Sequence, residues 1–185
     1  MALTTLPTAA LADDAVDNTK LDLASNYAFT GTVTGAGGGK VGQVITSVYN
    51  TQASTTSSTL SDTGHSAIIT PSSTSSKVFV SLTYRFRADR RNTNADTGYG
   101  IAVLRNSTNI LNYSSNAYEA FYLWQSTNMQ FDFRGINTLT CIDSPSSNSA
   151  LTYKIQHNAY ASKSVTGYYA RSGHTCTLTL MEILA

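Results

Sequence analysis

Residues 77–87 read KVFVSLTYRFR, and the order of residues in that stretch decides the fold. Val78, Val80, Leu82, Tyr84 and Phe86 fall on one parity; Lys77, Ser81, Thr83, Arg85 and Arg87 fall on the other, and only Phe79 breaks the polar set. Side chains alternate faces along a strand, so this is the pattern of a long β-strand with one dry face. A helix would scatter the five apolar residues around its circumference.

The flanking segments repeat the pattern. Residues 41–49 are apolar on both parities, which predicts a strand covered on both sides. Residues 51–76 carry Ser or Thr at 16 of 26 positions, the composition of a flexible linker, with a short strand expected at Ile68 and Ile69 before Pro71. Residues 89–98, DRRNTNADTG, read as a turn-rich loop leading to a strand over 99–105 and a tight turn over 106–109. An aromatic stretch at 119–124, alternation at 129–134 and 138–142, and the turn SPSSNS at 144–149 follow. A strand at 151–157, a loop over 161–173 and a last strand over 174–184 complete the chain. Eight to ten short strands without a convincing helix predict an all-β, jelly-roll-like β-sandwich.

Residues 1–38 differ from the rest. Leu6, Leu11, Val16 and Leu21 recur every five residues, which is neither the helix nor the strand period, and a short helix over 9–16 stays open. Four apolar residues so spaced make no core alone and need a partner protein or copies of the same arm. The run Gly37–Gly39 favours no regular element. The expected organisation is an anchoring arm with a Gly-rich hinge over 1–38 and a β-sandwich head over 39–185.

Composition narrows the function. Charged residues make up 12%, against roughly 25% in typical soluble domains. The formal charge of +1 argues against general nucleic-acid binding, which needs a basic excess. No run approaches a membrane span, so no membrane insertion is expected. The first residues lack a basic region, and Asp13 and Asp14 interrupt the apolar ones, so they do not read as a signal peptide; a product assembled in a cytoplasm is expected. Cys141 and Cys176 each lie in an alternating β pattern and read as free buried thiols.

Catalytic patterns are hard to find. His65, His157 and His174 share no metal-like spacing, and His157, on an apolar parity, reads as a hydrogen-bonded core histidine. There is no nucleophile-elbow, phosphate-loop or zincin motif. Asp89, Asp96, Glu119, Asp132, Asp143 and Glu182 are the carboxylates that could form an acidic pair, and none is marked out by its neighbours. The expectation is a non-enzymatic protein without metal or cofactor. Glu182, set among Leu180, Met181, Ile183 and Leu184, needs a partner if buried: either a Lys or Arg across a subunit contact, or an exposed strand end.

Arg85, Arg87, Arg90 and Arg91 lie within seven residues, beside Tyr84, Phe86 and Tyr99. They suit an anionic sugar or phosphate, or else a solvated strand face with a charged loop tip. Because loops carry function on a rigid sandwich, the candidate contact set is Arg90, Arg91, Asn92 and Asn94 in one loop with Tyr168, Tyr169 and Arg171 in the other. Arginine would hold an acidic sugar and tyrosine would pack on a sugar face.

Four phrases carry a family resemblance: LADDAVDNTKLDLASNYAFTGTVTGAGGGK (11–40), HSAIITPSSTSSKVFV (65–80), CIDSPSSNSALTYKIQ (141–156) and TLTLMEIL (177–184). Together they resemble the short fibre-like virion structural proteins of tailed bacteriophages, marine ones especially, over nearly the whole chain. The resemblance implies a homotrimer whose heads are similar to the jelly-roll trimers of the tumour-necrosis-factor and complement-C1q type. It implies a virion location, with residues 1–38 joining other virion proteins of tail or capsid and head loops meeting host surface glycan. Family tail fibres usually carry longer arms with many repeats, so a capsid-decorating head fibre or knob stands as the alternative, and a polysaccharide depolymerase as the second.

Overall fold

The computed structural model describes residues 40–93, 97–111, 120–123, 129–159, 165–171 and 174–184, without the side chains of residues 91–93 and 129. The arm with Leu6, Leu11, Val16 and Leu21, and the expected boundary after residue 38, lie outside the described residues. Among the described residues there are eleven strands and no helix: β1 (Val41–Tyr49), β2 (Ala53–Thr55), β3 (Ser61–Ile69), β4 (Lys77–Thr93), β5 (Thr97–Arg105), β6 (Thr108–Leu111), β7 (Phe121–Leu123), β8 (Met129–Asp143), β9 (Leu151–Ala159), β10 (Val165–Tyr169) and β11 (Cys176–Ile183).

Strand β4 is the centre of the first sheet. Its even residues Val78, Val80, Leu82, Tyr84, Phe86 and Ala88 are buried, as its alternation requires. One edge pairs with β8 from Val78 opposite Asp143 to Thr93 opposite Met129. The other edge pairs first with β11 and then with β10; β1 flanks β11 and β2 flanks β10. The second sheet runs β3-β9-β5-β6, with β7 also on β5, and every pairing in both sheets is antiparallel. The dry parities face one another: Val80, Leu82, Leu178 and Leu180 from the first sheet meet Ile69, Ile101, Val103 and Ile155 from the second. Sheet neighbours such as β1 and β11 come from opposite ends of this region, the wrapping of a jelly roll. The described residues form an all-β sandwich, as the sequence predicts.

Several boundaries differ from expectation, each for a local reason. Strand β4 continues through Thr93, so residues 89–93 are strand rather than loop; Ala88 and Arg90 keep its inward parity. Within 161–173 lies β10, whose inward set Val165, Gly167 and Tyr169 is hidden in the sequence by a glycine. That glycine is required, because a Cβ there would overlap the ring of buried Tyr99. The Ser/Thr-rich segment 51–76 holds β2 and the nine-residue β3 instead of a linker. The two stretches expected at 129–134 and 138–142 are one strand, with Gly135 leaving room for the Phe86 ring 2.7 Å from where a Cβ would stand. Strand β1 is not covered on both sides: Val44 and Val48 are exposed.

Glu182 fits neither sequence expectation. It is buried, and it is held by uncharged donors rather than by a cation. Gln43 Nε2 donates to it at 2.9 Å, the Ser72 amide at 2.6 Å and the Ser72 hydroxyl at 2.7 Å. Burial works to raise this carboxyl, but the bonds from Gln43 and Ser72 outweigh it and hold the pKa at about 2.

Gly167→Ala is expected to displace Tyr99 and to destabilise the head by about 1–3 kcal/mol. Urea unfolding should show a lower midpoint with an unchanged slope.

Candidate functional site

Chemistry gathers at two places, the arginine-rich end of β4 and a bulge in β3. On the outer face of β4, Arg87 stands opposite Arg134 of β8, and Asp89 stands opposite Asp132. Arg87 Nε donates to Asp132 Oδ1 at 3.0 Å, and its NH2 donates to Asp89 Oδ2 at 2.9 Å. Arg134 donates to the same Asp132 carboxylate at 3.1 and 2.7 Å. The Arg134 bond is the main reason the Asp132 carboxyl is held below its usual range; burial opposes it and Arg87 adds to it. Tyr168, the register partner of Arg87 on β10, lies with its ring 5.1 Å from the guanidinium carbon. Two arginines and two aspartates thus neutralise one another. Arg85 NH1 donates to His174 Nδ1 at 2.6 Å beside them.

The expected contact residues separate in the fold. Arg90 is fully buried on the inward parity of β4 and donates to Thr97 Oγ1 at 3.1 Å, so it is not at a loop tip. Arg91 and Asn92 belong to β4, and Asn94 lies outside the described residues. Tyr168 and Tyr169 are strand residues of β10 rather than loop residues, and Tyr169 is buried in the core. Arg171 follows β10, half-buried. The two nominated regions do meet, as paired backbone with Val165 opposite Arg90 and Thr166 opposite Asp89, and Tyr168 packs on Arg87, which lies outside both regions. Asp132 is expected only as a candidate for an acidic pair and Arg134 has no expected role, although their parity in residues 129–134 already sets them apart from Phe131 and Phe133.

The second place begins with a mismatch of register. Asp62 pairs with Gln156 and Ser66 with Lys154, so Thr63, Gly64 and His65 all oppose the single residue Ile155. Thr63 Oγ1 closes the gap by donating to the Ile155 carbonyl at 2.9 Å and accepting from the His65 amide at 3.2 Å. Gly64 has φ +89°, and a Cβ there would stand 2.8 Å from the Tyr49 hydroxyl, which donates to the Thr63 carbonyl at 2.6 Å. The bulge turns His65 into the core. Its Nε2 faces the Ser47 carbonyl at 3.2 Å and must carry the proton, so Nδ1 accepts from the Tyr169 hydroxyl at 2.6 Å. Burial lowers the pKa of His65, and the Ser47 bond partly offsets this.

On the outward side the bulge leaves a notch of about 130 Å³ lined by Asp62, Gly64, His65, Ser66, Thr152, Lys154 and Ile155. Asp62 accepts from Gln156 Nε2 at 2.6 Å and Lys154 Nζ at 3.1 Å. The Gln156 bond is the largest influence on its carboxyl, which stays below its usual range. His157, as expected, is a core histidine, with Nδ1 2.9 Å from the Tyr99 hydroxyl; burial holds its pKa at about 4. Cys141 is half-buried and Cys176 buried, both free. Among the described residues, no three His, Cys, Asp or Glu side chains gather closely enough to hold a metal ion. No protein-family model matches the chain, and no curated protein matches it.

Two outcomes follow from this placement. Arg90→Ala should remove roughly 2–4 kcal/mol of stability by opening a cavity and stranding buried polar groups, whereas Arg134→Ala should change it by less than about 1 kcal/mol. Chemical unfolding of the two variants checks this. The depressed histidines also set a pH dependence. Between the ordinary histidine value of 6.5 and about 4, the unfolded chain binds protons that folded His157 refuses. Stability is therefore complete above pH 6.5 and falls as pH drops toward 4, and His157→Gln should flatten that slope in denaturant midpoints measured across the range.

Proposed function

We propose that this chain is a non-enzymatic bacteriophage virion structural protein. It is a short homotrimeric spike of the tail-fibre type that attaches through residues 1–38 and meets host surface glycan with its head. The virion location, the arm's role and the number three rest on the sequence resemblance. The observation that carries the self-association is the outer face of the first sheet. There, register sets Val44, Met181, Phe79 and Ile142 in one row across β1, β11, β4 and β8. The next two rows are Thr46, Thr179, Ser81, Thr140 and Val48, Thr177, Thr83, Thr138. No member of the twelve is charged, and Ile142 is 61% and Val48 64% exposed.

Strand spacing gives this uncharged patch, five of its twelve residues apolar, roughly 400 Å². It is about half of what each partner buries in a standard interface. A closed ring, in which each copy touches two neighbours, supplies the rest. The absence of charge favours another copy of this chain as the partner, since threonine hydroxyls both donate and accept. Against a depolymerase, Asp89 and Asp132 are both held by Arg87 rather than poised over a groove.

Light scattering should return a trimer at micromolar concentration, and Val44→Lys with Ile142→Lys should give folded monomers. A chain lacking residues 1–30 should fold and fail to join particles. A monomeric wild type overturns the assembly, and incorporation of the truncated chain overturns the anchor. Antibody label on the capsid instead of the tail would favour the decoration reading, and loss of sugar cleavage in Asp132→Ala would favour the depolymerase.

A further inference from the structure

We propose that the notch beside the β3 bulge binds one uncharged, hydroxyl-rich unit, such as a terminal hexose or N-acetylhexosamine of a surface polysaccharide. The proposal rests on the reading that the head meets host glycan, and it moves the contact from the arginine- and tyrosine-bearing segments to the second sheet.

The notch exists because β3 holds three residues where β9 has one, and all three are fixed by the interior. Thr63 replaces a missing ladder bond, Gly64 leaves space against Tyr49, and His65 is pinned by Ser47 and Tyr169. The concavity is therefore preformed, and a ligand would not have to organise it. Its rim alternates acceptors and donors over a few ångströms. The Asp62 carboxylate is oriented by Gln156 and Lys154 and keeps lone pairs for adjacent hydroxyls. Lys154 has further protons to donate. The Ser66 and Thr152 hydroxyls make no hydrogen bond to the other described residues and are open to a ligand. The aliphatic stem of Lys154, an outward lining residue, offers apolar surface to the C–H face of a ring.

Charge and size select the ligand class. Asp62 and Lys154 cancel, so the notch has no preference for an anionic sugar. At about 130 Å³ it is smaller than the ~300 Å³ at which small-molecule pockets begin, so it takes one ring at a chain end. Binding at one notch is then weak, and three copies on one spike raise it through avidity.

The test is titration of the isotope-labelled full chain with D-glucose, D-galactose and N-acetylglucosamine, each alone, following backbone amide shifts. With at least one of them, saturable millimolar shifts are expected at Asp62, Gly64, Ser66, Thr152 and Lys154, with none at Arg87 or Tyr168 and no loss on adding salt. Asp62→Ala should weaken binding about ten-fold, the equivalent of one charge-assisted hydrogen bond. Thr152→Val gives an independent check should Asp62→Ala disturb the fold. No saturable shift with any of the three sugars, or shifts unaltered in both variants, overturns the notch. If the variants lose sugar binding yet particles carrying them adsorb normally, the notch stands and the host-glycan reading falls. If none of the sugars binds and adsorption is intact, the notch falls and that reading is left standing.

Discussion

A sandwich interior filled with tyrosine has to find a partner for each hydroxyl, because an unpaired buried hydroxyl costs about 1–3 kcal/mol. Tyr169 is paired with His65, Tyr99 with His157, Tyr153 with Asp143 and Tyr49 with the Thr63 carbonyl. Burial pushes the phenols of Tyr99, Tyr153 and Tyr169 upward, so all three remain neutral. Most of these bonds cross from one sheet to the other. Tyr169 and Tyr49 reach from the first sheet into β3, and Asp143 of β8 takes bonds from Tyr153 of β9 and Arg105 of β5. Apolar burial supplies most of the driving force but is non-directional. The crossing polar bonds fix how the two sheets are aligned, and aromatic stacking between Tyr49 of β1 and His65 of β3, 5.1 Å apart, adds to that alignment.

The same economy of partners shapes the surface. The few charged residues that are described largely satisfy one another locally: Arg87 and Arg134 with Asp132, Arg105 with Asp143, Lys154 with Asp62. The exposed pairs add little stability, each about 0–1 kcal/mol. Their effect is to gather charge at the ends and on the second sheet. The broad face of β1, β11, β4 and β8 is left to Thr, Ser, Val, Met, Phe and Ile.

How much of this was legible in the sequence varied with the period. Where one parity was cleanly apolar, as in residues 77–87 and 151–157, the strand and its buried set could be read directly. The reading failed where an inward position carried an atypical residue. Arg90 sits where a leucine would be expected, and Gly167 gives its inward place to the ring of Tyr99. Both stretches therefore looked like loops, and Arg90 and Tyr169, expected there as exposed contact residues, are buried strand residues. The fate of Glu182 depended on Gln43 and Ser72, over a hundred residues away, and no local pattern could announce them. The notch was equally silent, since a bulge leaves no signal in SDTGHS beyond one glycine.

That bulge also determines alignment along the strand. Residues 61–69, SDTGHSAII, are weakly apolar until their end, and such a strand has little in its composition to choose one pairing over a slide by one or two places. A kink that fits at a single point works as a detent. Moving β3 by one position would take His65 away from Tyr169 and Ser47 and bring a residue with a side chain into the space kept by Gly64. A polar, slippery strand thus has only one seat against β9.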